Sequence, residues 1–261
     1  ESFDADACRA WFDAHYGAEN LVFVVAGPVD AGAVFEWTER AMGSLHRGQR
    51  RVASEARPRP DLPALEYLSQ PGPQSDIHLT WLLPPMDHPD FAARVVAYRL
   101  MEDGASSRLR RRLVDELALA YRVGASLETY EGAAMLTIEA STAHENVRAV
   151  VEEALVVIGA LSTDLVDPPE WSRWRRRAVF DVASGLDHPS YVCSSLGLAE
   201  LLQDQEAPIE RLERALEMTP ERVRDAVAEH LVGERMQLSV LGDLEPMQRA
   251  ALRRIVHRHR T

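Results

Sequence analysis

Apolar residues recur with two different periods along the chain, and the period predicts which segments are strands and which are helices. Short apolar runs, alternating or continuous, predict strands, whereas repeats of three and four positions predict amphipathic helices. The predicted strands cover residues 21–26, 65–69, 77–83, 123–130, 134–140 and 236–241. The predicted helices cover residues 3–16, 31–42, 89–102, 106–117, 145–162, 168–184, 189–204, 207–217, 220–231 and 244–258.

The order of these elements indicates the fold class. Most of the predicted strands precede a block of helices that runs from residue 144 to residue 232, and one strand and one helix close the chain. This order is typical of an α+β fold and differs from a regular βαβ alternation. We therefore expect a mixed, mainly antiparallel sheet packed against a block of helices.

Residues 105–123 form the most distinctive segment of the sequence. Ser106 or Ser107 can cap a helix here by accepting a hydrogen bond from one of its free N–H groups. Tyr121 then opens an alternating run that predicts a strand. The positions predicted to share the inward face of the helix are Leu109, Leu113 and Leu117.

Two stretches of the chain, one near each end, match without a gap. Ala10–His15 aligns with Asp225–His230, and both copies continue as a break, an apolar strand, a glycine and a helix. The matched pairs are His15 with His230, Glu19 with Glu234 and Gly27 with Gly242, each 215 positions apart. This pattern indicates an internal repeat, with convergent α+β patterning as the alternative origin.

The repeat predicts a domain organisation. Residues 1–45 would be the tail of a first unit, and residues 64–261 a complete second unit of the same kind. Residues 46–63 contain five arginines, three prolines and few apolar residues, which predicts a semi-rigid linker. We therefore expect two homologous halves in the parent protein, with most of the first half outside this chain.

Composition and charge narrow the classes of function. The net charge of −12 argues against a nucleic-acid-binding surface, and no apolar run approaches the length of about 20 residues that spans a membrane. No signal-peptide pattern opens the sequence. Cys8 and Cys193 alone form neither a disulfide framework nor a metal site, so we expect reduced thiols and a cytoplasmic protein.

Four segments together resemble one known family. They are Ala18–Gly27, Gly104–Leu109, Leu117–Tyr121 and Met218–Val223. The first is similar to the last strand of the first half in the pitrilysin/insulinase family of zinc metallopeptidases, which includes the mitochondrial processing peptidases. The second and third resemble its second-half Gly-x-Ser-Ser-Arg-Leu and Leu-Gly-Leu-Ala-Tyr segments. The resemblance covers nearly the whole chain and implies the second, non-zinc half.

The zinc motif of that family, His-x-x-Glu-His on a helix, is absent from this sequence. His15 and Glu19 stand in the wrong order, and Glu229–His230 follows Ala226 where the first histidine is required. The motif needs two neutral imidazoles on one helical face and a carboxylate that activates the metal-bound water. We therefore expect no metal in this chain, and the resemblance implies zinc in a homologous partner half.

The resemblance also implies an Arg and a Tyr, seven residues apart, that reach from the second half towards the zinc-bound substrate. Tyr121 occupies the Tyr position, but the Arg position holds Val114. A phenol is a suitable donor to a developing oxyanion. Tyr121 is therefore the candidate catalytic and substrate-binding residue, with packing against the helix as the alternative role, while Val114 is expected to fill the core.

These observations leave three hypotheses for the function. In the first, the chain is a non-catalytic half that closes a peptide-binding chamber over a zinc-bearing half, supplied by the same polypeptide or a second subunit. In the second, motivated by Val114, it is a degenerate family member that serves only as a scaffold or peptide-binding subunit. In the third, it is an unrelated α+β domain with an accidental repeat. Under the first two, the isolated chain is expected to be inactive and a peptide is expected to bind at a sheet edge.

Overall fold

The computed structural model describes residues 3–51, 56, 63–202 and 206–260. The helices are α1 Ala5–His15, α2 Ala31–Met42, α3 Phe91–Glu102, α4 Arg108–Arg110, α5 Val147–Thr163, α6 Pro168–Leu186, α7 Pro189–Leu201, α8 Pro208–Leu216, α9 Pro220–His230 and α10 Pro246–Arg260. The strands are β1 Leu65–Ser69, β2 Ser75–Leu83, β3 Arg122–Tyr130, β4 Ala133–Thr142 and β5 Met236–Gly242. The predicted α+β class is therefore confirmed.

The five strands form one mixed sheet in the order β1-β5-β2-β4-β3. Only β1 and β5 run parallel, and the remaining neighbours are antiparallel, as the sequence predicted. The last strand of the chain thus lies inside the sheet, between β1 and β2. β1 and β3 form the two edges.

Alternation along the strands separates a buried face of the sheet from an open one. On β2, Ile77 and Leu79 are buried, whereas Asp76 and His78 are exposed. The buried face packs on apolar side chains from α3, α5, α9 and α10, which complete the hydrophobic core. The opposite face of β2 therefore presents polar side chains.

The chain divides into two compact units. One contains residues 1–54 and 179–210, and the other contains residues 55–178 and 211–261. The five-stranded sheet and its core belong to the second unit. In the predicted linker 46–63, residues 52–55 and 57–62 lie outside the described part of the chain.

The predicted repeat has a counterpart in local structure. α1 and α9 end at His15 and His230, 215 positions apart, and the turns Ala18–Asn20 and Gly233–Arg235 follow at the same offset. The capping residues also correspond: Asp4 accepts the N–H of Ala7, and Thr219 accepts the N–H of Arg222. Shared element boundaries and caps support a repeat over these segments.

The predicted strand at residues 21–26 is the main difference from the sequence prediction. Its counterpart β5 has a neighbour on each side, but within the described residues no strand pairs with 21–26. The segment is extended around Leu21, and Phe23 is 49% exposed. A strand requires hydrogen-bonding neighbours, so the local apolar pattern alone is insufficient to make one.

The structure of segment 105–123 also differs in detail from the sequence prediction. Ser107 occupies the cap position of α4, but its hydroxyl makes no capping hydrogen bond, so the predicted side-chain cap is wrong. Leu109 and Leu113 are buried as predicted, whereas Leu117 is 37% exposed. α4 continues as a π-helical turn over Arg111–Glu116, and Leu117 lies at the C-terminal cap just after it, so the α-helical period no longer assigns Leu117 to the inward face.

Ala118, just after this turn, has a strained backbone conformation, and the strain can be tested. Its φ of +50° lies in the left-handed region, where its side chain is unfavourable and glycine is not. We expect Ala118→Gly to raise the free energy of unfolding by about 1 kcal/mol, measured by urea denaturation. Ala120→Gly is the control, because Ala120 is buried without a positive φ, and it should lower stability. Equal losses in both variants would contradict the strain.

Candidate functional site

Tyr121 lies immediately before β3, at the end of the sheet. Its backbone N–H donates to the carbonyl of Ser141 at 3.0 Å, which fixes the start of the β3–β4 pairing. The side chain is 68% exposed. An aromatic ring packed against the helix would be largely covered, so this alternative does not fit, and the phenol is available to a ligand.

Val114 lies on the π-helical turn and is half-buried. Among the described residues it is not one of the side chains that pack on the core cluster, so its expected role as a core residue is wrong. The neighbouring arginines do not replace the missing guanidinium. Arg111 pairs with Glu116, and Arg112 pairs with both Glu116 and Glu153, the latter at 2.8 Å.

A polar groove of about 440 Å³ follows the open face of the sheet, and its lining begins at Arg122, the residue after Tyr121, without including Tyr121. Its polar lining includes Asp76, His78, Glu102, Arg122, Glu139 and Ser141. Ser141 Oγ donates to Asp76 Oδ1 at 2.5 Å. Glu102 reaches the groove from the end of α3, where burial, opposed by a hydrogen bond from the N–H of Ala125, raises its carboxyl pKa. Such a surface can hydrogen-bond a polar ligand or a peptide backbone.

Sequence reasoning missed this groove because its residues are scattered over four elements. The only local signal is the polar half of the alternation in β2 and β4. Glu102 could not be assigned to the groove from the sequence, because its place there depends on the packing of α3 beside β3.

A second cluster joins His88, Asp90 and His230, whose ligand atoms lie within 4.8 Å of one another. His230 Nε2 is 3.3 Å from Asp90 Oδ2, and Arg222 donates to Asp90 Oδ1 at 2.7 Å. Arg94 lies behind it, with its pKa lowered by burial to about 10, so it remains charged at neutral pH. The cluster has the donor set of a transition-metal site, two imidazoles and one carboxylate.

Charge and tautomer argue against a cation at this cluster. The two arginines already supply positive charge, and His88 Nδ1 accepts the N–H of Asp90 at 3.2 Å. A metal on His230 Nε2 would force the proton onto Nδ1, which is buried and has no partner in the described structure. With Nε2–H donating to Asp90, only a lone pair is buried there. The cluster therefore fits a histidine–carboxylate–arginine network better.

The other histidine considered from sequence lies in a different environment. His15 stacks on Trp11 with ring centroids 3.8 Å apart, and its Nδ1 lies 2.8 Å from the carbonyl oxygen of Trp11. Glu19 pairs with Arg47 at 2.7 Å. His15 and Glu19 are thus engaged separately and do not share a ligand site.

Comparison with known families supports the sequence resemblance. The family model described as the peptidase M16 inactive domain matches residues 2–177, which is more than half of the chain. A Rickettsia felis protein named as an uncharacterized zinc protease is 26% identical over 202 residues, covering 75% of this chain. The match covers 47% of that protein, so this chain spans about half the length of the curated relative.

Solved structures show the same fold. A peptidase M16 inactive domain from Pseudomonas fluorescens matches with a TM-score of 0.79 and 18% identity, covering 94% of this chain and 60% of that one. A chain of Complex III2 from Candida albicans, determined with Inz-5 bound, matches with a TM-score of 0.75 and 14% identity, covering 92% and 59%. None of the helices in the described ranges is long and apolar enough to cross a membrane.

His230 makes the stability of the protein depend on pH. Burial lowers its pKa below the ordinary value of 6.5, with Arg94 and His88 acting in the same direction and Asp90 and Glu229 opposing. Below about pH 6.5 the unfolded state therefore binds a proton that the folded state does not, and stability falls as the pH falls. We expect His230→Gln to make this fall shallower, by up to about 1.4 kcal/mol per pH unit.

The measurement is urea denaturation at a series of pH values between 5 and 7.5. His78→Gln is the matched control, because His78 is exposed on the open face of the sheet. An unchanged pH slope in the His230 variant would show that this residue is not the group responsible.

Proposed function

The chain belongs to the peptidase M16 inactive-domain family, and from this premise we propose that it closes the peptide-binding chamber of a zinc metallopeptidase over a zinc-bearing half. The observation that carries the proposal is the family match over residues 2–177. The isolated chain is then inactive, because it lacks a His-x-x-Glu-His motif. Zinc and the water-activating carboxylate come from the homologous half.

We further propose that residues 1–45 are the tail of that zinc-bearing unit, that 46–63 are a linker and that 64–261 are the complete inactive unit. The structural repeat at an offset of 215 positions supports this division. In the assembled protein, residues 21–26 take the position that β5 has here, between one parallel and one antiparallel strand. This arrangement satisfies the backbone groups of the segment and covers its apolar side chains.

Within the chamber, Tyr121 is the proposed donor from this half to the substrate. Its side chain is 68% exposed, and the next residue, Arg122, lines the polar groove, whose side chains offer hydrogen bonds to a peptide backbone. Val114 cannot supply the second donor, and Arg111 and Arg112 are held by glutamates. Arg122, which follows Tyr121 and lines the groove, carries a guanidinium, so this segment offers a second candidate donor outside position 114.

The second candidate function is that of a scaffold or peptide-binding subunit without a catalytic role. It is favoured by the valine at position 114, and the similar fold within the Complex III2 assembly is compatible with it. Both candidates share the zinc-bearing partner half and the peptide ligand, and they differ in the role of Tyr121.

The test uses this chain alone and in complex with a zinc-bearing half produced from the same polypeptide or as a second subunit. We expect peptide hydrolysis only in the complex, with loss of turnover on chelation. Tyr121→Phe should lower kcat about 100-fold with little change in KM, because an oxyanion donor acts mainly in the transition state. Tyr130→Phe is the control, since its exposed hydroxyl donates to Glu128.

Each outcome separates the hypotheses. An unchanged kcat in the Tyr121 variant of an active complex favours the scaffold. Stoichiometric zinc together with turnover in the isolated chain would defeat both candidates.

The strand assignment has its own test. We expect the amides of residues 21–26 to exchange rapidly in the isolated chain and to become protected by orders of magnitude in the complex, measured by hydrogen–deuterium exchange. Phe23→Asp should prevent assembly, because a charge would enter a buried strand. Val156→Asp is the control on the exposed side of α5. Unchanged exchange at 21–26 in a complex that forms would refute the assignment.

A further inference from the structure

A cavity of about 760 Å³ lies between the start of β1, the turn Gly233–Arg235 and one face of α10. We call it the basic cavity. It borders β1, the edge of the sheet opposite to β3. Its volume falls within the range of about 300–1,000 Å³ that is typical of small-molecule sites. The lining residues that matter for its chemistry are Leu65, Glu234, Arg235, Arg253, Val256 and Arg260.

The charges of this lining are mainly positive and only partly compensated. Arg235 and Arg253 make no ion pair with the described residues, and Arg260 donates to a neutral acceptor, the backbone carbonyl of Glu234, at 3.1 Å. The carboxylate of Glu234 is the one acidic group among the lining residues. Because the whole chain has a net charge of −12, this local excess of cations is not a consequence of its composition.

A ligand in the basic cavity can reach these cations. Arg253 is exposed, and Arg235 and Arg260 are half-buried. The charge of Arg235 also acts on a second arginine: burial lowers the pKa of Arg94 to about 10, and Arg235 acts in the same direction while Asp90 opposes. An anion beside Arg235 would reduce this repulsion between like charges.

Other arginines of α10 have partners within the protein, whereas Arg253 does not. Arg249 lies over the ring of Tyr67, 5.1 Å from its centroid, and Arg258 pairs with Glu152 at 3.7 Å. The helix dipole favours cations in the last turn, but Arg253 lies about two turns before the end of α10. Neither a protein partner nor the dipole therefore accounts for Arg253.

The repeat shows that the fold does not require these charges. The turn Ala18–Asn20 and the start of α2 lie 215 positions before the turn Gly233–Arg235 and the start of α10. At this offset, Asn20 stands in place of Arg235 and Thr38 in place of Arg253. The same turn and helix thus form with uncharged residues at both positions, which favours a binding role for the two arginines.

Gly233 brings the two basic elements together. A side chain at this position would collide with the backbone carbonyl of His259 near the end of α10. The close approach lets the side chain of Arg260 reach the carbonyl of Glu234, so both elements line one cavity. The arginines are therefore held in place before a ligand binds, which lowers the entropy cost of binding.

We propose that the basic cavity binds a small ligand with two linked phosphoryl groups. Three guanidinium groups and one carboxylate give the lining an excess of two positive charges. A guanidinium is planar and donates in pairs to phosphate oxygens, and two linked phosphoryl groups offer enough oxygens for several such contacts. The apolar side chains of Leu65 and Val256 leave room for an organic part. This proposal does not rest on the proposed function.

The test is calorimetric titration and thermal unfolding of the whole chain at constant ionic strength. The probes are sodium pyrophosphate, sodium phosphate and adenosine diphosphate, with sodium sulfate as the reference. We expect pyrophosphate to bind more tightly than phosphate and to raise Tm above the sulfate reference. Arg235→Gln and Arg253→Gln each remove one charged donor and should weaken pyrophosphate binding about tenfold or more.

Arg254→Gln is the matched control, because it removes the same charge from an exposed neighbouring position on α10 that does not line the cavity. It should bind pyrophosphate like the wild type. Glu234→Gln removes the carboxylate of the lining and should strengthen binding several-fold. Tighter binding of adenosine diphosphate than of pyrophosphate assigns the apolar lining to an organic part, whereas equal affinity assigns recognition to the phosphoryl groups alone.

Three results would overturn the proposal. One is the absence of a pyrophosphate-specific shift in Tm up to tens of millimolar. Another is binding that Arg254→Gln weakens as much as Arg253→Gln does, which would indicate general attraction to a basic surface. The third is sedimentation of the chain with phosphatidylglycerol vesicles without pyrophosphate binding, which would assign the arginines to a membrane surface. Circular dichroism of each variant distinguishes lost binding from lost folding.

Discussion

The fold depends on the insertion of β5 between β1 and β2. A strand exposes hydrogen-bonding groups on both sides, and β5 satisfies both sets although it comes from the far end of the chain. Its inward residues Leu238 and Val240 are buried in the core. Because α9 leads directly into β5, this pairing also carries α9 onto α3 and brings His230 to Asp90. Asp90 and His230 are 140 residues apart in sequence, so their contact is a consequence of the strand order.

The same constraint explains which parts of the fold could be predicted from the sequence. Helices such as α5 and α9 can be predicted from local sequence, since their hydrogen bonds are local and their apolar residues recur with a clear period. The segment 21–26 and β5 have equivalent local patterns and equivalent preceding turns, yet only β5 has neighbours within the described residues. Pairing is a non-local property, so periodicity predicts the capacity to form a strand and leaves its partners undetermined.

The candidate site was predictable to a similar degree. Tyr121 could be selected as a candidate because the resemblance that points to it lies in one local segment; its side chain is 68% exposed, and its role stays a prediction. The π-helical turn before it could not be foreseen, because a change from α to π hydrogen bonding leaves no clear trace in apolar spacing. The groove on the open face depends on register between β2, β3 and β4, so its residues appear in the sequence only as ordinary polar positions.

Under the proposed function, the hydrogen-bonding groups around Tyr121 determine what this half contributes to catalysis. A neutral phenol makes a weaker hydrogen bond to an oxyanion than a guanidinium does, and the nearby Arg111 and Arg112 are committed to Glu116 and Glu153. Under the proposed function, this half encloses and orients the peptide, and the zinc-bearing half supplies the metal-dependent chemistry.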